Sequence, residues 1–124
     1  MSIPRLAIFA SGSGSNAEEI MKYFNSKGTA EVVALLSNNS QAYALVRAQK
    51  YGVLTQLFDR HTFYHTQEVS NYLNKLGVTH VILAGFLWLV PPYLIAHFPS
   101  RILNIHPALL PRFGGKGMYG MKVH

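Results

Sequence analysis

Short apolar runs alternate along the chain with segments whose apolar residues recur at helical spacing. Leu6-Ala7-Ile8-Phe9-Ala10 is continuous and apolar, as a strand buried on both faces requires. Helical periodicity follows over 17–26, where Ile20, Met21 and Phe24 fall on one side and Lys27-Gly28 closes the segment. A second buried strand is expected over 32–36, a helix over 42–51 stopped by Gly52, and a weaker strand over 53–58. Val69, Tyr72, Leu73 and Leu76 predict one helix over 62–76. A fourth strand over 81–84 runs into Gly85-Phe86-Leu87-Trp88-Leu89-Val90. Pro91-Pro92 opens a short helix through about Phe98, and 102–106 is the fifth strand. This alternation predicts an α/β protein: a Rossmann-like parallel sheet with helices on both faces, forming one domain over 1–124.

In such sheets ligands gather at the carboxyl ends of the strands. Three unusual segments fall there. Gly12-Ser13-Gly14-Ser15-Asn16-Ala17 fits the glycine-rich phosphate fingerprint G-x-G-x-x-A between first strand and first helix. Its glycines let backbone amides approach a phosphate, and Ser11, Ser13 and Ser15 offer hydroxyls. A plain tight turn with Ser15 or Asn16 as N-cap is the alternative. The second strand ends in Ser37-Asn38-Asn39, with no acid for a nicotinamide ribose. That disfavours NAD, leaves NADP open with Arg47 nearby, and suits a phosphomonoester better.

The second segment is Gly85 to Val90. Most of its side chains read as core, but Trp88 is a large ring at a strand end, where pockets form. The third is Asn104-Ile105-His106-Pro107. Residues i and i+2 of a strand share a face, so Asn104 and His106 are expected side by side, with Pro107 ending the strand. An amide donor beside an imidazole suits acyl transfer: one steadies an oxyanion, the other moves a proton.

Composition narrows the class. An apolar content of 49% with 13% charged residues marks a globular chain. No window reaches transmembrane length, and the start lacks the pattern of a signal peptide. The absence of cysteine excludes disulfides and thiolate metal sites and fits a cytoplasmic protein. The five histidines besides His106 have no metal-ligand spacing, so no metal is expected. A net charge of +6 favours anionic partners. The basic residues are scattered, so neither nucleic acid nor membrane is indicated, and nothing bears on oligomeric state. The glycine-rich, basic stretch from Arg112 to Lys122 reads as a loop leading into something absent, so the domain is expected to be incomplete at its C-terminal end.

Taken together, Ser11-Gly12-Ser13-Gly14-Ser15-Asn16, Leu83-Ala84-Gly85-Phe86 and Asn104-Ile105-His106-Pro107-Ala108-Leu109-Leu110-Pro111 resemble the phosphoribosylglycinamide formyltransferases of purine biosynthesis. The resemblance implies the formyltransferase fold and transfer of a formyl group from 10-formyltetrahydrofolate to the amine of glycinamide ribonucleotide. It implies that Gly14, Ser15 and Asn16 hold the phosphate and that Phe86, Leu87 and Pro107 border the amine. It places Leu83, Trp88, Leu89 and Val90 around the pterin, makes His106 the proton-handling group and lets Asn104 bond the formyl oxygen. A phosphate- or NADP-binding module and a formyltetrahydrofolate hydrolase are the alternatives. Two departures stand out. Many relatives carry a basic residue where Trp88 stands. The family's catalytic aspartate lies further along than His124, and Asp59, the only aspartate here, does not match it. This portion alone is therefore not expected to be active.

Overall fold

The computed structural model describes residues 3–105. Five strands form one sheet: β1 (Arg5–Phe9), β2 (Glu31–Ser37), β3 (Leu54–Leu57), β4 (His80–Ala84) and β5 (Ile102–Ile105). The order is β3-β2-β1-β4-β5, and every pair is parallel. Two helices, α1 (Ser15–Lys27) and α2 (Tyr43–Lys50), join the first three strands. The return to β4 passes through α3 (Arg60–His65) and α4 (Glu68–Lys75), and α5 (Pro92–His97) leads to β5.

The chain walks outward from β1 to β3, then returns to the other side of β1. Crossovers of constant hand must then change face. The buried clusters show this: Ala17, Met21, Ala44 and Ala48 pack on one face with Leu6 and Ile8, whereas Phe63, Val69, Leu73 and Leu94 pack on the other with Ala7 and Phe9. The loops after β1 and β4 therefore part to opposite faces, at the switch point where such sheets open a crevice.

The expected single helix over 62–76 is two helices. Thr66 breaks it, with extended backbone (φ −135°, ψ 174°). Its hydroxyl donates to the Thr62 carbonyl at 2.7 Å and accepts from the Glu68 amide at 3.2 Å, replacing the backbone bonds that would continue the turn. The first of these helices also starts earlier than expected, because Asp59 accepts from the Thr62 amide at 2.8 Å as an N-cap. That amide hydrogen bond is the main reason the Asp59 carboxyl is held below its usual range. Asp59 thus serves the fold.

Phe63 is the centre of the second core. It is fully buried, stacks on Phe58 with centroids 4.5 Å apart, and meets Phe9, Phe86 and Trp88. Phe63→Ala should cost about 3–5 kcal/mol. Urea denaturation checks this; a loss below about 1 kcal/mol would mean that the aromatic cluster does not hold α3.

Candidate functional site

The glycine loop is held from behind by α2. The Ala44 amide donates to the Gly12 carbonyl at 3.1 Å, and the Arg47 Nε donates to the Ser13 carbonyl at 2.7 Å. In a trans peptide the C=O and the following N–H point in opposite directions. With both carbonyls turned to α2, the amides of Ser13 and Gly14 face away from it. Gly14 occupies the N-cap of α1 in the left-handed region (φ 77°, ψ 20°), and no side chain caps that helix. The expected alternative of Ser15 or Asn16 as cap is not realised. The amides of Ser13 to Ala17 have no acceptor among the described residues. A Cβ on Gly14 would lie 2.5 Å from the Ala44 Cα, so glycine is required both by conformation and by the closeness of α2. Ser13 and Ser15 are exposed and Asn16 is half-buried.

Ser11, expected to add a hydroxyl donor to this loop, is committed elsewhere. It is buried, its hydroxyl donates to Asn38 Oδ1 at 2.7 Å, and it accepts from the Leu87 amide at 3.0 Å. Its amide donates to the Gly85 carbonyl and its carbonyl accepts from Asn39 Nδ2. Asn38 and Asn39, the end of β2, are thereby engaged by the β1 loop. No acid stands at the place where a dinucleotide ribose is normally read, and the Asn38 oxygen and both ends of the Asn39 amide are already engaged.

Arg47, kept open above as a partner for an NADP phosphate, is clamped instead. It is ion-paired to Glu18 and lies 4.9 Å over the Tyr43 ring. Glu18 also accepts from Tyr51 at 3.1 Å and pairs with Lys50 at 2.9 Å. Lys50 and then Arg47 hold its carboxyl down at about 2. This group escaped the sequence reading, because 29 positions separate the partners.

Beyond β4, side chains alternate. Phe86, Trp88 and Val90 turn inward onto the aromatic core, while Leu87 and Leu89 are 81% and 84% exposed. Tyr64 pins this segment by donating to the Leu89 carbonyl at 2.5 Å. Trp88 does line a cavity, as expected of it. That cavity of about 890 Å³ is also bounded by Asn38, Phe58, Arg60 and Tyr72. The Arg60 guanidinium sits 4.5 Å over the Trp88 ring, a fixed cation that the sequence shows only as one of its scattered basic residues. Leu83 is buried in the core, so it can shape only the floor of a pocket.

Asn104 pairs in register with Leu83 and shares its sheet face with Ile102. It is half-buried at the carboxyl end of β5, beside the end of β4. His106 and Pro107 lie outside the described residues, as does the basic loop. Among the described residues no group of three His, Asp or Glu side chains is arranged to hold a metal, and no helix is long and apolar enough to cross a membrane.

The formyl transferase family model matches residues 4–123. The chain belongs to the formyl transferase family. It is 41% identical over 126 residues to the chloroplastic phosphoribosylglycinamide formyltransferase of Arabidopsis thaliana, covering 97% of this chain and 43% of that protein. With the Escherichia coli phosphoribosylglycinamide formyltransferase it shares 35% over 118 residues, 89% of this chain and 54% of that one. The solved phosphoribosylglycinamide formyltransferase of Anaplasma phagocytophilum superposes with a TM-score of 0.77 at 35% identity, over 90% of this chain and 53% of that structure. The Brucella melitensis structure gives a TM-score of 0.77 at 36%, over 93% and 62%. The chain thus spans about half the length of the relatives it matches.

Two outcomes follow for the loop. Gly14→Ala forces a left-handed alanine against α2, so stability should fall by at least ~1–2 kcal/mol, measured by chemical denaturation. Glu18 titrates below its ordinary 4.5, so its ionised form stabilises the fold above about pH 4.5, and that contribution is lost as the pH drops toward 2. Acid titrations should show Glu18→Gln with a shallower loss over that window than wild type; parallel curves would place the acid sensitivity elsewhere.

Proposed function

We propose that the protein transfers the formyl group of 10-formyltetrahydrofolate to the primary amine of glycinamide ribonucleotide. The observation that carries this reading is the uncapped glycine loop of a formyl transferase: amides at a helix N-terminus suit a phosphomonoester, and the enzymes named for that acceptor are its relatives at 33–41% identity. In this reading Gly14, Ser15 and Asn16 cradle the phosphate. Phe86, Leu87 and Pro107 border the acceptor amine, while Leu83, Trp88, Leu89 and Val90 surround the pterin. The exposure of Leu87 and Leu89 supports this, since two leucines more than four-fifths open to solvent suit a ligand surface.

The chemistry is an acyl transfer. The amine nitrogen attacks the formyl carbon, a new C–N bond forms, and the carbonyl oxygen takes up negative charge. The Asn104 carboxamide donates to that oxygen. His106 accepts the proton released by the amine and returns it to N10 of the folate as the bond from that nitrogen to the formyl carbon breaks. The products are formylglycinamide ribonucleotide and tetrahydrofolate. Phosphate recognition separates this reading from a hydrolase, which has no use for the acceptor, and the engaged Asn38, Asn39 and Arg47 weigh against a dinucleotide module.

Formyl transfer measured at steady state on the whole protein tests it. His106→Ala should lower kcat on the order of 10²–10⁴-fold. Asn104→Ala should lower it roughly 10²–10³-fold. Formate released at the same rate without ribonucleotide would make the protein a hydrolase; tight NADP binding with no response to folate would make it a dinucleotide module.

A further inference from the structure

The glycine loop is intrinsically ambiguous about which way its peptides face. Gly12 and Gly14 flank Ser13, and a flip of the peptide between Ser13 and Gly14 would turn a carbonyl, rather than an amide, toward an anion. Something must bias the peptide, and Arg47 is the group in position to do it. Its Nε donates to the Ser13 carbonyl at 2.7 Å from the α2 side, the side opposite the Gly14 amide. We propose that Arg47 is a positioning residue of the phosphate cradle: anchored by Glu18 and Tyr43, it fixes the Ser13 carbonyl against α2 so that the loop's amides face the acceptor's phosphate.

This rests on the reading of the loop as a phosphate site. Three contacts fix the guanidinium. Glu18 takes one Nη, the Tyr43 ring lies beneath it, and the Ser13 carbonyl takes Nε. Glu18 stands on the first turn of α1 and its own amide donates to the Gly14 carbonyl at 2.8 Å, so the clamp joins both ends of the loop. The side chains of Arg47 and Glu18 are only 23% and 16% exposed, so the pair is partly shielded from solvent. Glu18 also cancels the charge that would otherwise draw Arg47 forward onto the anion. Lysine cannot substitute, because a single ammonium lacks the planar fork that reaches a carbonyl and a carboxylate at once.

The test compares glycinamide ribonucleotide with its dephosphorylated riboside as acceptors for the whole protein. Arg47→Met should raise KM for the ribonucleotide about tenfold, with kcat, the folate KM and the riboside KM held within about twofold. Arg47→Lys should not restore the ribonucleotide KM, and Glu18→Gln should shift it in the same direction by less. A thermal melt accompanies each variant; should Arg47→Met fail to fold, Glu18→Gln carries the comparison. Equal changes for both acceptors, an unchanged ribonucleotide KM, or full rescue by lysine would overturn the positioning role while leaving the formyltransferase reading intact. A wild-type protein that does not prefer the ribonucleotide over the riboside would overturn the phosphate cradle itself, and this role with it.

Discussion

The buried hydroxyl of Ser11 ties together the carboxyl ends of three strands. It donates to Asn38 after β2 and accepts from Leu87 after β4, while its own backbone follows β1 and bonds to Gly85 and Asn39. A doubly wound sheet parts its loops at the switch point, and parted loops have no reason to keep a fixed distance. Ser11 supplies that reason. Ser11 itself is buried, so leaving its hydroxyl without a partner would be costly, and its part-buried hydrogen bonds hold the three strand ends in one arrangement. The glycine loop on one side and the Phe86–Val90 segment on the other inherit their relative placement from it.

Much of the fold could be read from the alternation of apolar runs, because strands buried on both faces leave an unambiguous signature in sequence. The error at 62–76 has a local cause. Val69, Tyr72, Leu73 and Leu76 do form one helical face, but Thr66 uses its hydroxyl to replace the backbone bonds of a continuing turn. Periodicity reports where apolar residues fall and is blind to a side chain that competes with the backbone. The role of Ser11 was misread for a related reason. In a serine-rich loop every hydroxyl looks available, and only the packing of β2 and β4 against it decides which one is buried.

The candidate site was legible where its residues are contiguous and hidden where they are assembled across the fold. The glycine fingerprint and the Asn104 motif are read within a few residues. The clamp of Arg47, Glu18, Lys50 and Tyr51 joins α1 to the end of α2, and the stacking of Arg60 on Trp88 joins α3 to the segment after β4. Neither leaves a spacing that a linear reading can recognise.

The positive charge of the chain takes on a different meaning once the partners are known. Arg47 and Lys50 are both paired with Glu18, Arg5 with Glu31 and Lys22 with Glu19, so among the described residues four of the chain's 11 basic groups are partly neutralised. In the proposed phosphate cradle, attraction toward the anion then falls chiefly to oriented peptide dipoles and the N-terminus of α1. Dipoles act over a shorter range than a net charge, and their effect depends on direction. A site built this way gains selectivity for a phosphate that can dock among the amides, and it offers little to an anion that merely drifts near the surface. Its strength is therefore only as good as the rigidity of the peptides that compose it. That is why a glycine-rich loop, the most pliable of backbones, is found here with its carbonyls tied down by a neighbouring helix.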